Sequence, residues 1–127
     1  MEGVTPYLAI AAGGVLGANA RYLVGLYIAD RLGSAFPYGT LVINVTGSLV
    51  IGFFLTVISE RLAVNPLWRL FFATGFLGAY TTFSTYTYEA ATLIRGGAYV
   101  PALLYVVGSV AFGLLGVLAG IAVAERL

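Results

Sequence analysis

The chain has no histidine, no cysteine and no lysine, and only 9% of its 127 residues are charged. Without His or Cys there is no haem ligation, iron–sulfur cluster, thiol redox chemistry or ordinary zinc site. Cysteine usage therefore says nothing about redox compartment. The basic residues are six arginines scattered singly, and the net charge is +1, so no basic patch offers itself to nucleic acid. No glycine-rich phosphate loop stands between a strand and a helix. Hydrolysis by paired carboxylates needs two buried acids, and of the five acidic residues only Glu89 falls within an apolar span. These absences argue against an enzyme.

What remains is apolar. Hydrophobic residues make up 61% of the chain, far above the composition of a soluble domain. Four spans, near residues 7–28, 39–59, 70–94 and 99–123, suit the roughly 30 Å hydrocarbon core of a bilayer. The stretches Ala29–Tyr38, Glu60–Arg69 and Arg95–Ala98 connect them, and links this short make neighbouring spans antiparallel hairpins. The expectation is one all-α integral membrane domain over residues 1–127, in a cell membrane, with lipid as its surroundings. Ala18-Asn19-Ala20 resembles a signal-peptide cleavage site, but no basic side chain precedes the first span and it is long for a signal core. It is expected to stay.

Orientation normally follows an excess of Lys and Arg on the cytoplasmic side. Four spans put Arg61, Arg69 and Arg126 on one side and Arg31, Arg95 and the nearby Arg21 on the other, three against three. A chain without bias can insert both ways, which permits an antiparallel dimer of identical subunits.

Small residues mark packing faces: Gly13 and Gly17 in the first span, Gly47 and Gly52 in the second, and Gly113, Gly116 and Gly120 in the fourth. In lipid, such faces let helix backbones approach closely. Polar residues are rarer and more informative. Thr40, Asn44 and Ser48 recur every four residues, a stripe crossing about 12 Å of membrane depth. Asn44 at its centre either lines an ion path or makes an interhelical hydrogen bond. Tyr105 and Ser109 repeat the spacing in the fourth span, and Arg21 either snorkels or holds anions near a pore mouth.

The third span holds the densest signal. From Tyr80 to Tyr88 every residue except Phe83 carries a hydroxyl, a run that persists in a bilayer only where it faces protein, water or an ion. Gly75, Gly78, Thr81 and Thr82 are poor helix formers, so a break near mid-membrane is expected. A break frees carbonyls that find a cation or a neighbouring helix. In a continuous helix the hydroxyls would instead bond back to carbonyls one turn earlier.

Three segments, Gly13-Gly-Val-Leu-Gly-Ala-Asn-Ala-Arg-Tyr22, Gly39-Thr-Leu-Val-Ile-Asn-Val-Thr-Gly47 and Gly75-Phe-Leu-Gly-Ala-Tyr-Thr-Thr-Phe-Ser-Thr85, closely resemble the signatures of the Fluc (CrcB) fluoride channel family, in order and at matching separations. The resemblance implies a dual-topology homodimer with two antiparallel pores that expels fluoride from microbial cytoplasm, and a structural sodium ion at the dimer centre. By motif, Asn44 corresponds to a pore asparagine and Phe83 to a pore phenylalanine. Gly78 and Thr81 match the residues whose carbonyls hold sodium. Thr40, Tyr105 and Ser109 resemble a polar track, and Glu89 a pore-side glutamate. Two positions depart: Tyr86 stands where a second pore phenylalanine is common, and Gly113 where a further track serine is often found.

Two other readings compete. A small multidrug-resistance-type exporter, also of four spans, needs a carboxylate embedded in its first helix, where this chain has Arg21 and no acid. An accessory subunit of a larger membrane complex would spend its hydroxyls on packing and carry no ion flux.

Overall fold

A computed structural model describes residues 3–127, and among them there is no β-strand. Helix α1 spans Thr5–Leu32 and α2 spans Tyr38–Glu60. A third, irregular helix, α3, covers residues 66–80. It opens as a single turn at Pro66–Trp68, widens into π-helical geometry at Arg69–Leu77 and closes with Gly78–Tyr80. After a break comes α4, Ser84–Arg95, and then α5, Tyr99–Glu125. Three helices, α1, α2 and α5, are long and apolar enough to cross a membrane.

The ends follow local chemistry. Asn65 starts α3 as its side-chain oxygen accepts the Leu67 amide at 3.0 Å, with Pro66 in the first turn where its missing N–H costs nothing. Gly97, at φ +79°, makes the left-handed turn into α5 that side chains resist. The expected third span began at residue 70, but the helix already runs from Pro66, so the second connection is shorter than the composition suggested.

Glycine faces set the packing. A side chain on Gly13 would run into the Phe71 carbonyl and one on Gly17 into that of Phe76, while Gly75 sits against the Ile10 carbonyl and the Gly13 Cα. On α5, Gly116 lies against Val45 and Leu49, and Gly120 against Leu49 and Phe53. In both pairs the contacts advance together along the chain, so α1 runs parallel to α3, and α2 parallel to α5. With almost no hydrophobic force between helices in lipid, this backbone-to-backbone approach is where dispersion attraction accumulates.

Only a small core is shielded by the chain itself. Tyr86 and Ala90 of α4 pack on Tyr105 of α5, whose side chain is fully buried. The Tyr105 ring meets Tyr86 edge-on at 5.2 Å between centroids and Phe36 at 5.5 Å. Along α3, Phe72, Phe76 and Tyr80 stack at successive separations of 5.4 and 6.0 Å.

Gly13→Ala should destabilise the protein by roughly 1–3 kcal/mol, because the added methyl overlaps a carbonyl that belongs to the backbone. Gly14→Ala, with open space beside it, should be neutral or slightly stabilising. Thermal unfolding in detergent, followed by loss of the monodisperse peak, separates the two; equal stability would mean the α1–α3 approach is looser than described.

Candidate functional site

The break in the third segment is held by a side chain from α2. The Asn44 Nδ2 donates to the Thr82 carbonyl at 2.8 Å, and the Thr82 amide donates to Asn44 Oδ1, also at 2.8 Å. One carboxamide thereby satisfies both backbone groups of the residue where the helix stops. Thr81 leaves the helix in extended conformation, at ψ 161°. The Thr82 hydroxyl then accepts the Thr85 amide at 3.2 Å and donates to the Thr85 hydroxyl at 3.1 Å, which restarts the chain as α4.

In an unbroken helix the amides of Thr82 and Thr85 would bond the carbonyls of Gly78 and Thr81. Here those amides go to side chains, and among the described residues no backbone amide reaches either carbonyl. The hydroxyl-rich segment thus breaks, as its poor helix formers led one to expect. Even so, the Thr81, Thr87 and Thr92 hydroxyls still bond back to carbonyls three or four residues earlier.

Two grooves meet at Thr82, which lines both. The first, about 450 Å³, brings together Arg21 of α1, Thr40 of α2 and Glu89 of α4. The Thr40 hydroxyl donates to Glu89 Oε1 at 2.6 Å, which fixes the carboxylate against α2. The second groove, about 500 Å³, is lined by Asn44, Ser109, Phe83 and Tyr86 together with Gly78 and Thr81. Tyr105 lines neither groove; it is buried against Phe36 and Tyr86, and among the described residues its hydroxyl has no hydrogen-bond partner. The Ser109 hydroxyl is likewise buried and free.

Phe83 is 75% exposed at the groove rim, its ring centroid 5.8 Å from that of Tyr86. Tyr86 is buried, and its hydroxyl donates to the Val106 carbonyl at 2.8 Å. That hydroxyl is spent on α5, so the groove meets the ring. Asn44 bonds α2 to the break in the third segment and also lines the second groove. Thr82 as its partner was not legible: the sequence showed an amide on one helix and a break on another, and nothing joined them.

An all-helical, multi-pass membrane protein with a few polar side chains brought into otherwise apolar grooves narrows the class considerably. Residues 8–121 match the family described as CrcB-like protein, Camphor Resistance (CrcB). The fluoride-specific ion channel FluC of Acidobacterium capsulatum is 50% identical over 121 residues, 95% of this chain and 97% of that one. The protein of the same name from Chloroflexus aurantiacus is 51% identical over 114 residues, 90% of each, and that from Sulfurihydrogenibium sp. is 47% identical over 121 residues, 95% of this chain and 98% of its own. The chain belongs to the CrcB family.

Tyr86→Phe deletes a hydroxyl already committed to Val106 while leaving the ring in place. It should cost about 1 kcal/mol of stability, the usual net worth of such a bond, and keep most of the ion flux and selectivity in reconstituted vesicles. A nearly silent Tyr86→Phe protein of normal stability would make the hydroxyl, not the ring, the working group.

Proposed function

We propose that this protein is a fluoride-selective channel that lets fluoride leave the cytoplasm passively and so protects the cell from fluoride. The observation that carries the reading is the pair of grooves joined at Thr82, lined by amide, hydroxyl and aromatic groups within a protein close in sequence to fluoride-specific channels. Fluoride is small and strongly hydrated, so a narrow pore must replace its water with donors. An amide N–H, a Ser or Thr hydroxyl and the weakly positive edge of an aromatic ring all serve, and none holds the ion as a full charge would. Binding weak enough to release is what conduction needs. Arg21 in the first groove gives anions a positive entrance, with Glu89 held aside by Thr40.

The broken third segment acts as a fourth membrane crossing in this reading. Because α2 and α5 run parallel, the chain between them has to return across the thickness that α2 spans, and α3 with α4 is the only stretch available. The working unit is a homodimer of two oppositely oriented subunits. Balanced arginines support the two orientations, and the open grooves and exposed Phe83 support a second copy covering them, since lipid cannot satisfy their polar walls. The carbonyls of Gly78 and Thr81 suit a sodium ion at the dimer centre: they are hard oxygen ligands without amide partners. Bound there, sodium would supply the charge that brings carbonyls of two subunits together.

The exporter reading is weaker, because the acid on α1, Asp30, sits in its last turn rather than mid-span. An accessory subunit would pass no ions alone. The test is fluoride efflux from liposomes holding only this chain, read with a fluoride electrode. Wild-type protein should empty the vesicles, and Phe83→Ile should slow efflux roughly tenfold or more, the scale of losing ~1.4 kcal/mol along the path. Absence of flux in the wild type would refute the channel. In the same assay, replacing sodium by a bulky organic cation should suppress flux if the carbonyl site holds, and tagged termini should be accessible from both membrane faces if orientations mix; a single orientation would rule out the antiparallel dimer.

A further inference from the structure

The stripe Thr40, Asn44, Ser48 leaves one member without a task. Thr40 bonds Glu89 and Asn44 bonds Thr82, whereas Ser48 makes no hydrogen bond among the described residues. Ser59 on the same helix and Ser109 on α5 are likewise unbonded, but only Ser48 and Ser109 of the three line the second groove. Thr46 and Thr56, neighbours of Ser48 on α2, both bond back to carbonyls four residues earlier, at 2.7 Å. A Ser without that bond has its proton available to a partner in the groove it lines.

Ser48 lines the second groove, opposite Gly113 of α5. A Cβ added to Gly113 would stand 3.6 Å from the Ser48 Oγ, ordinary contact distance, so the two positions face each other directly. Helices α2 and α5 run parallel, and Ser109 precedes Gly113 by four residues as Asn44 precedes Ser48. The groove is therefore built in levels about one turn, or ~6 Å, apart. At the level of Asn44 and Ser109 both walls present donors. At the next level α5 presents only a glycine, and Ser48 is the donor the two helices offer.

We infer that Ser48 is an ion-contacting residue of the groove, donating its O–H to the fluoride ion one step along from Asn44 and Ser109, in place of a side chain that Gly113 lacks. This rests on the channel reading, and it assigns the α2 wall, not only α5, a share of the donor row. Without Ser48, α2 and α5 would offer an anion at that level only apolar side chains and helix backbone whose amides are occupied within the helix.

The test moves the hydroxyl across the groove. In vesicles at matched protein density, Ser48→Ala should slow fluoride efflux roughly tenfold, as expected for losing one hydrogen bond to an ion, while Ser48→Thr should retain most of it. Gly113→Ser in the Ser48→Ala background should restore efflux to near the wild-type rate, because its hydroxyl enters the vacated space. A purely structural role for Ser48 would give no rescue, and unchanged efflux in a well-folded Ser48→Ala protein would overturn the inference while leaving the channel intact. Wild-type vesicles that fail to release fluoride would overturn both.

Discussion

Two hydrogen bonds of 2.8 Å between the Asn44 carboxamide and the backbone of Thr82 determine where the third segment ceases to be a helix. Thr82 is half-buried where the two grooves meet, and an amide or carbonyl left unsatisfied there and shielded from water would cost on the order of 1–3 kcal/mol. A helix break there is tolerable only with a partner of matching donor and acceptor, and Asn supplies both from one planar group. Everything polar follows from that. Thr82 restarts α4, the Gly78 and Thr81 carbonyls lose their amides, and the two grooves meet at the clamped residue.

The apolar framework makes room for this arrangement and adds little chemistry of its own. Glycines at 13, 17 and 75 bring α1 against α3, and those at 52, 116 and 120 bring α2 against α5. Each contact is chiefly with neighbouring backbone, so the helices approach closely without bulky side chains between them. The aromatic cluster of Phe36, Tyr86 and Tyr105 packs α4 onto α5, and the half-buried Ser109 keeps its hydroxyl without a partner among the described residues.

Much of this was legible in the sequence. Helical class, the apolar spans and the glycine faces follow from composition and spacing, because lipid permits few alternatives. The break was legible as a cluster of poor helix formers. Its position at Thr81–Phe83 was one of four candidates, since propensity pointed to Gly75 and Gly78 as well as to Thr81 and Thr82, and both glycines remain helical, Gly75 packed against α1 and Gly78 in the closing turn. Nothing in the pattern announced the π-helical stretch from Arg69 to Leu77. Among the site residues, spacing placed Thr40 and Asn44 on one face, but Tyr105 turned inward to the core, and Tyr86 spent its hydroxyl on a carbonyl twenty residues away. Such pairings depend on how helices are juxtaposed, which one helix's periodicity does not encode.

Asn44→Asp probes the clamp most directly. The substitution preserves size and the acceptor for the Thr82 amide, but it replaces the donor to the Thr82 carbonyl with a charge that repels both that carbonyl and a passing anion. Fluoride efflux from vesicles carrying the variant, with its fold checked by gel filtration, should drop roughly tenfold or more, the equivalent of at least ~1.4 kcal/mol. Efflux at the wild-type rate from well-folded Asn44→Asp protein would contradict the central role given to the clamp.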